Sequence, residues 1–204
     1  VSYFEYQIVA FIGWFVYGSF FEWIFHRELF HSPKWLRATF HAHAEVHHVV
    51  YGGDESYDLP SKEDSHRERV SMDWFAGPLF VIVHLPAMFL IQYLTGVPNW
   101  VGGCLAIGTY YTLYEVLHYM MHVPKDRWIE RTRMFKFLND HHRIHHRAPH
   151  QNLNVLIPLA DLVLGTLRLP GRRAKKVAAK TADAAAQSKP RAAARMSQPQ
   201  KSAE

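Results

Sequence analysis

The chain has 204 residues, 49% hydrophobic and 14% aromatic, with a formal charge of +5 and one cysteine, Cys104. That length allows one domain of ordinary size, and a lone thiol excludes an internal disulfide framework and any thiolate-rich metal site. The excess positive charge sits at one end: residues 171–204 hold 9 of the 23 Lys and Arg but 2 of the 18 Asp and Glu, so the body is near neutral and no nucleic-acid partner is expected.

Three apolar stretches follow in chain order, from about Tyr3 to Phe25, Trp74 to Leu94 and Trp100 to Met121. Each is near the roughly 20 residues that cross a bilayer's hydrocarbon. No Lys or Arg occurs from residue 1 to 26 or from 70 to 124, whereas helices of a soluble bundle would show a charged outer face. The pattern predicts an all-α integral membrane bundle with about three transmembrane helices. The first stretch lacks a basic n-region and a small-residue cleavage site and ends in EWIFHRELFH, so it reads as a retained span, not a signal peptide.

The loop from 27 to 73 and the region after 122 contain all 23 Lys and Arg, which places both in the cytoplasm. Within the loop, GGDESYDLPSKEDSHRER (52–69) is a candidate lid or docking surface, with a plain solvated loop as the alternative. His84, mid-span before Pro86, reads as a packing or kink residue. On the third stretch Gly102, Gly103, Ala106 and Gly108 would let helices approach closely. Residues 1–170 form the membrane domain, and residues 171–204, rich in Ala, Lys, Ser, Pro and Gln, make a tail too poor in apolar side chains to order itself.

Thirteen of the fifteen histidines fall in four clusters: His26 and His31; His41, His43, His47 and His48; His118 and His122; and His141, His142, His145, His146 and His150. Neutral imidazole is the commonest metal-binding side chain near physiological pH. His43 and His47, and His118 and His122, are four apart, and His142, His145 and His146 form H-x-x-H-H; on an α-helix such spacings bring imidazoles within roughly 6 Å. His26 and His31 are five apart, about 140° around an α-helix. They should not share a face, so the metal lies between elements or the helix breaks near Ser32-Pro33. With all four clusters at membrane ends or in basic loops, the site is expected to form a helical, histidine-rich cytoplasmic cap.

HRELFH (26–31), HAEVHH (43–48), YEVLHYMMH (114–122) and HHRIHH (141–146), followed by NLNVLIPLAD and LGT (152–166), resemble the membrane-bound fatty acid hydroxylase and sterol desaturase superfamily. The resemblance covers about residues 20–168 and is nearest in motif to fatty acid 2-hydroxylases. It implies a di-iron centre held by His26, His31, His43, His47, His48, His118, His122, His142, His145 and His146. The second box is one residue longer than the family's form, leaving His41 or His43 as the ligand; the i, i+4 relation to His47 favours His43. His141 and His150 are additional candidates for metal or oxygen contacts. Glu22, Glu115, Asp140 and Asp161 are candidate acceptors for the outward ring nitrogens.

The reaction implied is hydroxylation of a lipid C–H bond, fatty acyl or related, with O2 and two external electrons. Such chemistry needs a redox-active metal, although imidazoles also suit zinc, which could substitute in purified protein. A desaturase or demethylating oxidase would share the site, and a metal transporter is a remote alternative that would place its ligands mid-span. The sequence carries no dinucleotide loop, cysteine set or haem domain, so the resemblance implies a separate electron donor, a reductase with ferredoxin or cytochrome.

Overall fold

The computed structural model describes residues 2–58 and 70–169; the expected disordered tail and most of the acidic loop lie outside these. The first helix, α1 (Tyr3–Phe25), opens on a capping box: the Ser2 hydroxyl accepts the Glu5 amide at 3.3 Å, and the Glu5 carboxylate accepts the Ser2 amide at 2.6 Å. It runs without a break into a π-helical turn, His26–Phe30. After a bend come α2 (Arg37–Phe40), a second π-helical segment (His41–His47), α3 (His48–Val50) and a short 3₁₀ turn, Glu55–Tyr57.

The next helix, α4 (Ala76–Thr95), stops at Gly96, whose φ of 69° is the left-handed cap that glycine adopts without a Cβ penalty. Four residues later α5 begins (Trp100–His122), and a 3₁₀ turn (Trp128–Arg131) leads to α6 (Arg133–Arg147). The Thr132 hydroxyl caps α6 by accepting the Phe135 amide at 3.2 Å. A single turn, α7 (Leu159–Val163), closes the order, and no strand occurs among the described residues.

The helix at the centre is α5, packed against α1 on one side and α4 on another. Gln7 fastens the first contact, accepting the Gly102 amide at 2.7 Å and donating to the Pro98 carbonyl at 2.9 Å. A Cβ at Gly102 would overlap the Gln7 carbonyl oxygen, so glycine is what permits this approach. Gly102, Gly103 and Ala106 are buried as the small-residue pattern suggests, but nothing lies within 4 Å of a Cβ built at Gly108. His84 fills a packing role, its Nδ1–H donating to the Phe80 carbonyl at 2.6 Å and its ring lying against Trp14, Tyr17 and Phe21.

Among the described residues two helices, not the expected three, are long and apolar enough to cross a membrane: Tyr3–Phe30 and Ala76–Thr95. Only 22% and 17% of their apolar windows are buried, whereas the core helix of a soluble protein would be mostly buried. The third stretch is a helix of 23 residues, but Tyr110, Tyr111, Tyr114, Glu115, His118, Tyr119 and His122 dilute its hydropathy. Its inner face is spent on packing and on the site. Below α5's C-terminal half, Tyr57, Tyr114, Leu117, Met121, Phe135, Leu138 and Val155 form one buried cluster that docks α6 on α5.

Gly102→Ala should lower stability by roughly 1–3 kcal/mol through overpacking against Gln7. Gly108→Ala, in open space on the same helix, should be neutral or gain up to about 1 kcal/mol from helix propensity. Thermal unfolding of both variants in detergent checks the pair.

Candidate metal centre

Among the described residues ten histidines converge in two groups of five: His26, His31, His43, His48 and His145; and His47, His118, His122, His142 and His146. Within each group one ring nitrogen per residue lies within 4.8 Å of all the others. The second group is wholly buried, while His31 and His48 leave the first partly open. These are the ten residues that the family resemblance implies as ligands.

The two π-helical segments explain the first group, and they overturn the expectation that His26 and His31 face apart. A π-turn bonds residue i+5 to residue i, which stacks side chains five apart on one face. The His31 amide donates to the His26 carbonyl at 3.1 Å, and the two rings stack at 5.0 Å. The second π-segment does the same for His43 and His48: the His48 amide bonds the His43 carbonyl, and their Nε2 atoms are 3.1 Å apart. His47, four from His43, is turned instead to the second group. His43, not His41, therefore joins the first group, and its partner there is His48 and not the i+4 residue His47.

Regular α-helix supplies the rest. His118 and His122 on α5, and His142 and His146 on α6, are i, i+4 pairs that meet in the second group. One residue away, His145 points round α6 into the first. His41 is exposed, with its Nδ1 2.7 Å from the Glu45 carboxylate, and His150 is exposed. Neither they nor His141, buried 3.1 Å from Asp161, joins a group.

Hydrogen bonds on the outer nitrogens set the tautomers. The Nδ1 atoms of His26 and His145 lie 2.6 Å and 3.0 Å from the carbonyls of Leu153 and Gln151. Those of His122 and His146 meet the carbonyls of Tyr57, at 3.0 Å, and Tyr51. A carbonyl only accepts, so all four imidazoles donate from Nδ1 and, when neutral, turn an Nε2 lone pair inward. The His142 Nε2 lies 3.2 Å from that of His122 and 3.0 Å from that of His146, so one proton there could satisfy only one of two lone pairs. In the first group the His145 Nε2 lies 3.0 Å from His31 and 3.2 Å from His48. The buried His118 Nε2 has no hydrogen-bond partner among the described residues. A cation at the centre of each group resolves these contacts, and the residues fit a metal.

Burial, with neighbouring imidazoles second, holds His43, His142, His145 and His146 well below the usual imidazole range, and His31 is lowered to about 4. All are in the neutral, ligating form at physiological pH.

The anticipated carboxylate acceptors sit elsewhere. Glu22 accepts from the Tyr110 hydroxyl at 2.6 Å, the Asn154 amide at 3.1 Å and the Val155 backbone. Glu115 accepts the Met72 amide at 3.2 Å, and Asp140 is exposed. Asp161 does meet a histidine, but it is His141. Burial alone would raise the Asp161 carboxyl; hydrogen bonds from His141, Thr166, Asn154 and Leu153 hold it below the usual range. Carbonyl partners went unforeseen because every residue type carries one.

An apolar cavity of about 430 Å³ reaches His43, His47 and His118 among the described residues, walled by Phe25, Leu36, Phe75, Leu79 and Phe80. A smaller one, about 50 Å³, lies between α1, α4 and α5 and is lined by His26, Phe21 and Ile107. The geometry is that of a helical protein whose two all-imidazole groups could hold metal ions and open on apolar space.

Residues 11–166 match the family model described as fatty acid hydroxylase, and the chain belongs to that family. It is an oxidoreductase family of membrane-associated histidine-box proteins. No curated protein and no solved structure matches the chain.

His43→Ala should lose metal from the first group, whereas His41→Ala should keep the native metal content. Elemental analysis of detergent-purified, dialysed protein distinguishes them; equal losses would return His41 to the ligand set.

Proposed function

We propose that this protein is a membrane di-iron oxygenase that hydroxylates a C–H bond of a lipid, using O2 and two electrons from a separate donor. The observation that carries the reading is the meeting of two five-imidazole groups with one apolar cavity, in a chain of the fatty acid hydroxylase family. Unactivated C–H bonds yield only to a redox-active metal, and iron bound by these imidazoles would supply the oxidising power.

The chain's own side chains do the positioning. Phe25, Leu36, Phe75, Leu79 and Phe80 line a passage that accepts a methylene chain and excludes water from the histidines. Leu79 is nearly half exposed on α4, one of the two apolar helices, so the passage adjoins the surface that lipid would cover. The carbonyls of Leu153, Gln151, Tyr57 and Tyr51 keep four imidazole protons on the outer nitrogens, leaving each Nε2 free to ligate. The basic loops and the histidines would face the cytoplasm, where a reductase with ferredoxin or cytochrome reaches the partly open first group.

The experiment is comparative lipidomics of cells expressing the native chain or His145→Ala. A lipid heavier by one oxygen, present only with the native chain, is the expected result. Loss of two hydrogens without gain of oxygen would assign the same site to desaturation. Identical lipid profiles, with iron-loaded native protein present in the membrane, would overturn the oxygenase reading.

A further inference from the structure

The two carbonyls that orient the first group, Gln151 and Leu153, belong to one irregular loop, 151–155. No helix holds those carbonyls toward the histidines. Buried side chains do. Asn152, at a left-handed φ of 53°, donates to the carbonyls of His141 at 3.0 Å and Arg168 at 2.9 Å, and accepts the Arg168 amide at 2.6 Å. Asp161 accepts the amides of Leu153 and Asn154, both at 2.8 Å, and the Thr166 hydroxyl at 2.6 Å. The Asn154 side chain donates to the Ser19 carbonyl at 2.7 Å and to Glu22, and accepts the Asp161 amide at 3.1 Å. Glu22 sits one turn before His26 on the same helix, so the clasp ties the loop to the element that carries the ligand it orients.

The second group takes both of its carbonyls from a different segment, Tyr51 and Tyr57. That segment is held by Arg147 to the Gly53 carbonyl, by the Arg143–Asp58 ion pair, and by the Tyr57 hydroxyl on Asn139 at 3.1 Å. The two clasps have no residue in common.

We infer that Glu22, Asn154 and Asp161 are positioning residues for the first group, so that undoing their clasp weakens metal binding there and spares the second group. This rests on reading both groups as metal sites. The loop's carbonyls fix the Nε2 lone pairs of His26 and His145; with the clasp undone, those rings are free to rotate or change tautomer, and affinity falls where they ligate. The second group keeps its carbonyl partners, Tyr51 and Tyr57.

The test uses the full chain in detergent with zinc as a redox-silent probe, two ions being expected per native chain, and a competing chelator to rank their affinities. Asn154→Ala should weaken one ion by roughly 10- to 100-fold and leave the other unchanged. In a His43→Ala background, already lacking the first ion, Asn154→Ala should have no further effect; in a His118→Ala background it should weaken the ion that remains. Thr166→Val, which removes one hydrogen bond from Asp161, should act in the same direction to a smaller extent and serves if Asn154→Ala does not fold. Equal weakening of both ions, or no weakening in either variant, overturns the inference while the metal reading stands. A native chain that binds no zinc or iron overturns both.

Discussion

Ten imidazoles, buried or nearly so, must bring their lone pairs to two points, and the rest of the structure follows from how that is achieved. Lone pairs repel, and a buried nitrogen without a partner costs about 1–3 kcal/mol. A cation at each point would relieve both costs, provided that no imidazole is protonated first. Burial and mutual proximity keep the rings neutral. Four backbone carbonyls then choose which nitrogen looks inward.

Helix geometry answers the same demand. An α-helix presents residues three and four apart, which suffices for α5 and α6, but the first group needs residues five apart at two places. Both places are π-helical. The widened turn costs hydrogen-bond geometry that a regular helix would keep, and the convergence of His26 with His31 and of His43 with His48 is what it provides. The same demand shapes α5: it is as long as α1, yet its inner face carries the tyrosines and histidines that join the bundle to the site, so it falls short of the hydropathy of a simple span.

Much of this was legible before any coordinates. The family resemblance names the ten residues, and the absence of Lys and Arg marks the apolar helices. The i, i+4 rule found the α5 and α6 pairs because those helices are regular. It misjudged His26 and His31 because a π-turn leaves no mark in composition or period; only the requirement that both rings reach one point could have suggested it. The count of spans differs for a related reason: run length and missing charge suggest a third span, while the polar atoms of Tyr110, Tyr111, Tyr114 and Tyr119 lower that helix's hydropathy.

The acceptors behind the imidazoles were illegible on firmer physical grounds. Carboxylates are the residue types one looks for, but a carboxylate behind each of four buried rings would bury four charges, each costing several kcal/mol unless fully compensated. Carbonyls satisfy the same N–H groups and bury none. The two carboxylates that are buried nearby obey the same accounting. Glu22 receives three donors and Asp161 four, and in each case two of them come from the 151–155 loop. Acidic residues thus act on the site through the backbone they position, and the groups that meet the imidazoles are main-chain atoms whose identity no sequence can advertise.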